Sequence, residues 1–387
     1  MIPYGRQSIT DSDVAAVEKV LRSDFLTQGP VTPLFETAVA DRVCAKYAVA
    51  VNSATSALHI SCLALGLGPG DWLWTSPITF VASANCGRYC GASVDFVDIN
   101  SETFNMCVDA LAEKLRVAER SGRLPKVIVV VHMCGQSPEM ERINTLARAY
   151  GVFLIEDASH SIGADYLNSP VGNCKYSDVT VFSFHPVKII TTAEGGMALT
   201  NNPDIAGRME RLRSHGITRD QSLMTHVPDG PWYYQQLELG WNYRMTELQA
   251  ALGLSQLSQL GSFIMRRRDL ASKYEVELQD LPVYLPKRSS AANPSWHLYV
   301  IRLENSDHHR CMFENLRADG IGVNLHYIPV HLQPYYRELG FNKGDFPVAE
   351  DYYSRAISIP LYATLTNEEQ DWVVGSLKNQ LVKMISK

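Results

Sequence analysis

Between residues 47 and 157 short apolar segments alternate with helix-length stretches through four consecutive units. The strand-like runs are 47–53 (YAVAVNS), 71–76 (DWLWTS), 92–99 (ASVDFVDI), 126–133 (KVIVVVHM) and 151–157 (GVFLIED). Between them lie 55–68, 77–91, 109–122 and 137–150, each read as a helix. This rhythm implies βαβ units and a mostly parallel sheet with helices on its faces. Upstream, a helix is expected over 11–22, with Thr10 as cap and Asp13 in its first turn. A second is expected over 33–46, with Pro33 in its first turn.

Past Ser177 the rhythm changes. Two apolar runs, 178–185 and 195–200, flank PVKIITTAE, and a helix follows near 203–214. The polar stretch 215–245 holds Trp232, Tyr233, Tyr234, Trp241 and Tyr243 and reads as a binding segment. Residues 245–278 read as one or two long helices. The remainder mixes strands (295–303 and 322–328) with helices (307–320 and 366–384). The expected organisation is an α/β large domain over 1–255 and a smaller α+β domain over 256–387.

Composition narrows the class. Of 387 residues, 46% are hydrophobic and 20% charged, which fits a globular chain and excludes a disordered one. The net charge of −6, with no basic stripe, argues against nucleic-acid binding. No apolar run approaches a membrane span, and MIPYGRQSITDSD lacks a signal-peptide pattern, so a cytoplasmic protein is expected. Eight scattered cysteines without a C-x-x-C pair read as buried free thiols in a reducing compartment, with no metal site.

Four features fall where strands of the expected sheet end, the usual place for ligands in α/β proteins. Asn52–Ala57 puts small and hydroxyl residues at a helix start, where free N–H groups favour an anion. Taken alone, the stretch reads first as a helix cap by Ser53 or Thr55. Glu156 and Asp157 end a buried strand, where a carboxylate needs a partner: a cap for the next turn or a cationic ligand group. Lys188 sits between two apolar runs, surroundings that lower a lysine's pKa and suit a nucleophile or Schiff-base former. Asn242 precedes a helix and alone reads as its cap. An anion-binding helix start, an acid about one hundred residues on and a lysine about thirty further match the needs of pyridoxal phosphate, PLP.

Over essentially its whole length the sequence resembles the DegT/DnrJ/EryC1/StrS sugar aminotransferases. LTQGP, NSATSALH, SPITFVASAN, IEDASHSIGA, SDVTVFSFHPVK, TTAEGGM, RSHGIT and NYRMTELQAAL carry the likeness. It implies the aspartate-aminotransferase-like (PLP fold type I) architecture. It also implies that Lys188 is the Schiff-base lysine and proton shuttle, that Asp157 pairs with the pyridine nitrogen and that Phe80 stacks on the ring. Ala54, Thr55 and Ser183 would hold the phosphate, and His160 would lie beside the ring oxygen. Asn242 would reach the cofactor of a second subunit, so a homodimer with a shared site is implied. Ala54 stands where many relatives have glycine, and Ser159 and Ser161 replace alanines.

PYGRQSI, SDFLTQGP, PVGNCKYSDVTVFSFHPVK and HYIPVHLQPYY carry a narrower likeness, to the family's pseudaminic-acid branch. That implies amino transfer from L-glutamate to C4 of a UDP-linked 4-keto-6-deoxy-N-acetyl-hexosamine, with GDP- or dTDP-linked keto-sugars as the alternative. Tyr4, Thr27, Arg213, His215, Arg219, His326 and Tyr327 lie in family-matching motifs as candidate substrate contacts. Other readings fit less well. Family dehydratases carry His in place of Lys188. A desulfurase would want an exposed nucleophilic Cys, for which Cys174 is the loose candidate. A PLP-binding regulator would bring a helix-turn-helix and a basic patch.

Overall fold

Apolar strands joined by amphipathic helices must bury both faces of their sheet. The computed structural model of this chain, which describes residues 1–385, shows how. The strands of the first half are β1 (Tyr47–Val51), β2 (Trp72–Thr75), β3 (Ser93–Phe96), β4 (Val127–Val131), β5 (Phe153–Asp157), the short pair β6 (Asp165–Tyr166) and β7 (Ser169–Pro170), β8 (Val179–Ser183) and β9 (Gly196–Thr200). Seven of them form one sheet in the order β1-β9-β8-β5-β4-β2-β3. β9 runs against β1 and β8; the other pairings are parallel. The helices are α1 (Asp11–Leu21), α2 (Val31–Val43), α3 (Ala54–Ala64), α4 (Ala82–Tyr89), α5 (Val108–Ser121), α6 (Met140–Ala149), α7 (Pro203–Leu212), α8 (Glu247–Leu257) and α9 (Leu260–Leu278). No helix of the described residues is long and apolar enough to cross a membrane.

The expected elements exist, with four differences. β1, which opens the alternation, lies at the far edge, so α3 carries the chain across four strands to β2. The stretch expected to be helical from 77 becomes regular only at Ala82. The Val330 N–H donates to the Pro77 carbonyl, tying residues 77–81 into an irregular turn. Residues 322–328 make a single bridge, Asn324 to Ser358, rather than a strand. Finally, α2 starts two residues before Pro33 and ends where Cys44 takes a left-handed turn (φ 61°).

The second half builds a three-stranded antiparallel sheet, with Tyr299–Leu303 between Val283–Tyr284 and Ala356–Ile359. It does not stand apart from the first half. Phe96 at the end of β3 meets Tyr336, Phe341 and Phe346 edge-on at 5.7, 5.1 and 5.7 Å. The first residues of the chain also pack on the second half. Ile2 bridges Ile321, and the Leu361 N–H donates to the Tyr4 carbonyl.

Two N-termini show how local sequence and distant partners share capping. α1 closes a Thr10/Asp13 capping box, as its sequence requires. α2 has Pro30 as its N-cap and so no side-chain cap of its own. Glu247, fully buried at the start of α8, supplies one: it accepts from the Val31 N–H at 2.6 Å, the Thr32 N–H at 3.1 Å and the Thr32 hydroxyl at 2.5 Å. A carboxylate at a helix N-terminus satisfies free donors and meets the positive end of the dipole. Glu247→Ala leaves those donors buried and unpaired, and is expected to lower the unfolding free energy by about 2 kcal/mol in denaturant melts.

Candidate active site

Everything chemical collects at the carboxyl edge of the parallel strands. Gly196 marks this edge, pairing with Val51 of β1 on one side and Ser183 of β8 on the other. A Cβ on Gly196 would stand 2.5 Å from the Ala54 nitrogen and 2.6 Å from the Ser53 oxygen. Only glycine lets β9 pass so close to the start of α3. Ser53 caps that helix, its hydroxyl accepting from the Ser56 N–H at 3.1 Å, so the simple capping reading is correct for Ser53. It is also incomplete, because the Ala54 and Thr55 N–H groups have no acceptor within the described residues. They border a cavity of about 560 Å³.

Asp157, at the end of β5, is 6% exposed and borders the same cavity. Ser83 Oγ donates to it at 2.6 Å, and Ser159 donates through its hydroxyl at 2.5 Å and its N–H at 3.2 Å. Among the described residues no cationic side chain forms an ion pair with it. Its neighbour Glu156 points to the other face of the pleat. There it lies 2.9 Å from His132 Nε2 and accepts from Ser177 Oγ at 2.6 Å. Of the two adjacent acids, Glu156 is paired inside the protein and Asp157 is left for a ligand.

Lys188 rides on the loop joining β8 to β9. The Phe184 N–H donates to the Gly195 carbonyl, and the Phe184 carbonyl accepts from the Thr192 N–H, both at 2.9 Å, closing the loop at its neck. Buried Ile189 and Ile190 anchor it in the core. Burial pushes the Lys188 ammonium down to about 8, against the opposite pull of Asp157.

The opposite wall sets His160 and Tyr4 against His297, His326 and Tyr327 of the second half of the chain. His160 Nε2 lies 3.1 Å from the Tyr327 hydroxyl, and its ring sits 4.3 Å from that of His297. His326 lies 5.1 Å from the Tyr4 ring and bonds the Ser358 hydroxyl through Nδ1 at 2.8 Å. Burial, then the nearby Lys188 charge, holds His160 well below its usual range and brings His326 down to about 3. Burial does the same to His297, with His160 next. The imidazoles of this wall are therefore neutral. Phe80 opens onto the cavity with 59% of its surface exposed.

Ten of the fifteen residues singled out in the sequence thus share this cavity: Tyr4, Ala54, Thr55, Phe80, Asp157, His160, Ser183, Lys188, His326 and Tyr327. The other five do not border it within one protomer. Thr27 is exposed and bridges Thr246; Asn242 is exposed and bridges Ser214. His215 is exposed, its N–H on the Trp241 carbonyl, and Arg219 lies exposed over the Tyr234 ring at 5.9 Å. Arg213 is engaged internally, on the Glu36 carboxylate and the Ala50 carbonyl.

His297 and Ser83, and buried Arg267 behind them, escaped the sequence reading. Arg267 Nη1 donates to the carbonyls of Trp296, His297 and Leu361 at 3.1, 3.3 and 2.9 Å, fixing the backbone that carries His297. Two cysteine expectations change. Cys44 and Cys311 are exposed rather than buried. Cys174 is buried, its thiol pushed up to about 12 by burial and directed at the Leu199 carbonyl, so it offers no nucleophile for desulfuration.

The site defines a PLP enzyme of the type I fold. Unpaired N–H groups at a helix start suit the phosphate, an acid without a cation suits the ring nitrogen, and a lysine held near neutrality suits the aldehyde. The pattern of the DegT/DnrJ/EryC1/StrS aminotransferase family matches residues 7–378, and the chain belongs to that family. It is 35% identical to the spore coat polysaccharide biosynthesis protein SpsC of Bacillus subtilis, over 98% of this chain and 96% of that one. It is also 35% identical to the UDP-4-amino-4,6-dideoxy-N-acetyl-beta-L-altrosamine transaminase of Campylobacter jejuni, over 99% and 98%. Among solved structures, Helicobacter pylori PseC, an aminotransferase of pseudaminic acid biosynthesis, superposes with a TM-score of 0.89 at 32% identity over 99% of both chains. Spr1654 of Streptococcus pneumoniae, assigned as a sugar aminotransferase, superposes in its PMP form with a TM-score of 0.91 at 29% identity, over 99% of this chain and 100% of that one; its PLP form has also been solved. This chain is a PLP-dependent sugar aminotransferase.

The lowered lysine has a measurable consequence. Nucleophilic capture of PLP needs the neutral amine. With Lys188 near 8 instead of the usual 10.5, that form gains about two orders of magnitude at neutral pH. The rate of covalent PLP capture by the apoenzyme, followed in the visible spectrum, should rise through an inflection near pH 8 and level off above it. An inflection above pH 10 would contradict the burial of this amine.

Proposed function

We propose that the enzyme moves an amino group from L-glutamate to C4 of a UDP-linked 4-keto-6-deoxy-N-acetyl-hexosamine. The observation that carries this reading is the end-to-end likeness to the Campylobacter transaminase and to PseC, joined to a cavity with Lys188 and Asp157 in place. PLP, when bound, supplies the electron sink that makes a carbon next to an amino group acidic. Asp157, steadied by Ser83 and Ser159, keeps the pyridine nitrogen protonated. Ala54 and Thr55 hold the phosphate through their N–H groups, Ser183 and Thr55 through their hydroxyls. Phe80 packs on the ring face. The Lys188 amine removes the α-proton of glutamate in one half-reaction and delivers a proton to C4 of the sugar in the other. His160 and Tyr327, both uncharged, bound the site without competing for that proton.

The active unit is a homodimer in this reading. Asn242 is exposed in one protomer, which leaves it free to serve the cofactor of a second copy in this reading. Thr27, His215 and Arg219 are exposed as well, and so are the apolar side chains of Phe25, Leu26, Trp232 and Leu239. The eight free cysteines suit a reducing compartment, and we place the enzyme in the cytoplasm. The equal identity to SpsC favours a second reading, another nucleotide-linked keto-sugar.

A panel of UDP-, dTDP- and GDP-linked 4-keto-sugars with glutamate separates these readings, with product mass and C4 configuration as readouts. The UDP-linked N-acetyl substrate should turn over best; a preference for a GDP-sugar would overturn the narrower assignment. Lys188→Ala should lower turnover at least about 10³-fold, the middle of the range for a general acid–base group.

A further inference from the structure

Three cysteines that the transamination does not use meet between α3 and α4. Cys62 stands in the last turn of α3, and Cys86 and Cys90 stand one turn apart at the end of α4. The Cys62 thiol is within hydrogen-bonding reach of the other two. Cys62 and Cys86 are fully buried; Cys90 alone reaches solvent, at 8% exposure. His59, one turn before Cys62 on α3, completes the group. Its ring lies 5.5, 4.7 and 5.9 Å from those of Tyr89, Trp241 and Tyr243, and its Nδ1 lies 3.2 Å from the Tyr243 hydroxyl. Its Nε2 is buried with no hydrogen bond among the described residues, and the ring is close enough to Cys90 to favour the thiolate.

Three thiols and an imidazole first suggest a metal, but among the described residues no three such groups converge as ligands must. The arrangement suits redox chemistry. The hydrogen bond from Cys62, and then the His59 ring, outweigh burial and bring the Cys90 thiol down to about 6. Cys90 is therefore mostly thiolate at neutral pH, the form that attacks an electrophile. Cys86 is poorly placed to follow it. Its thiol donates to the Ser83 carbonyl at 3.3 Å. As a helical neighbour four residues from Cys90, its Cβ stands roughly 5–6 Å away, beyond the roughly 4 Å that a disulfide spans. Cys62, on another helix, escapes that limit.

We propose that Cys90 is a peroxide-sensitive thiol and Cys62 its resolving partner, closing a reversible disulfide between α3 and α4. The Cys90 thiolate attacks one oxygen of a hydroperoxide, and the O–O bond breaks. Cys90 becomes a sulfenic acid, and the alkoxide leaves as an alcohol, taking back from solvent the proton that Cys90 had released. The Cys62 sulfur then displaces hydroxide from Cys90, and that hydroxide leaves as water with the Cys62 proton. The two thiols lose two electrons and the peroxide gains them. Both helices start at the catalytic cavity, and this pair joins their far ends, roughly 12 Å along α3 from Ala54. The site is thus separate from Lys188.

The test treats the PLP-loaded enzyme with hydrogen peroxide, in a background where the more accessible Cys44, Cys107 and Cys311 are changed to serine. Free thiols should fall by two, peptide mapping should join Cys62 to Cys90, and dithiothreitol should restore both. The visible absorbance of the cofactor should stay constant throughout. Cys62→Ala should stop at the sulfenic acid, which dimedone traps on Cys90. Alkylation of Cys90 by iodoacetamide in the same background should show an inflection near pH 6, and His59→Asn should move it up by about one unit. A different disulfide, an unreactive Cys90, or an inflection in the ordinary thiol range of about 8.5 would overturn the proposal. So would oxidation that proceeds only in step with loss of the cofactor absorbance, because the thiols would then be reached by unfolding.

Discussion

A carboxylate buried at the end of a strand, with hydroxyls but no cation around it, organises this molecule. Removing Asp157 from water is costly, and two serines offset only part of that cost. The fold accepts the deficit because the missing charge belongs to a ligand. The surrounding elements then have to meet around that ligand: α3 starts at it, the Lys188 loop closes toward it, and the second half of the chain helps to wall it in.

The central sheet was legible because its signal is local. Apolar runs of strand length, each followed by a helical repeat, survive in any context, and so does the Thr10/Asp13 box. The chemical residues were legible for a related reason: Lys188 and Asp157 stand in apolar runs where polar groups need a purpose. Strand order was not legible. Nothing in YAVAV says that it will pair with GMALT, about one hundred and fifty residues on, instead of with its successor.

The rest was hidden for the same cause, the remoteness of partners. Glu247 looks like an ordinary first-turn acid of its own helix, yet it caps another helix 215 residues away in sequence from Thr32. Arg213 matched a substrate-contact motif, but its guanidinium is met by Glu36, 177 residues distant. His297 sat in the run 295–303, read only as a strand, and the tertiary fold alone sets it against His160. Exposed Asn242 is a further case: its expected role needs a second chain, which no reading of one protomer completes.

The neutral imidazole wall has a consequence for how the cavity meets its surroundings. Ordinary histidines exchange their roles as donor and acceptor when a solution moves from neutral to mildly acidic. Here burial has moved that exchange out of the working range for His160, His297 and His326. The wall acts as a set of frozen dipoles, its polarity dictated by packing instead of by the medium. The pattern of hydrogen-bonding directions along this wall therefore stays the same from neutral to mildly acidic solution, set by packing alone.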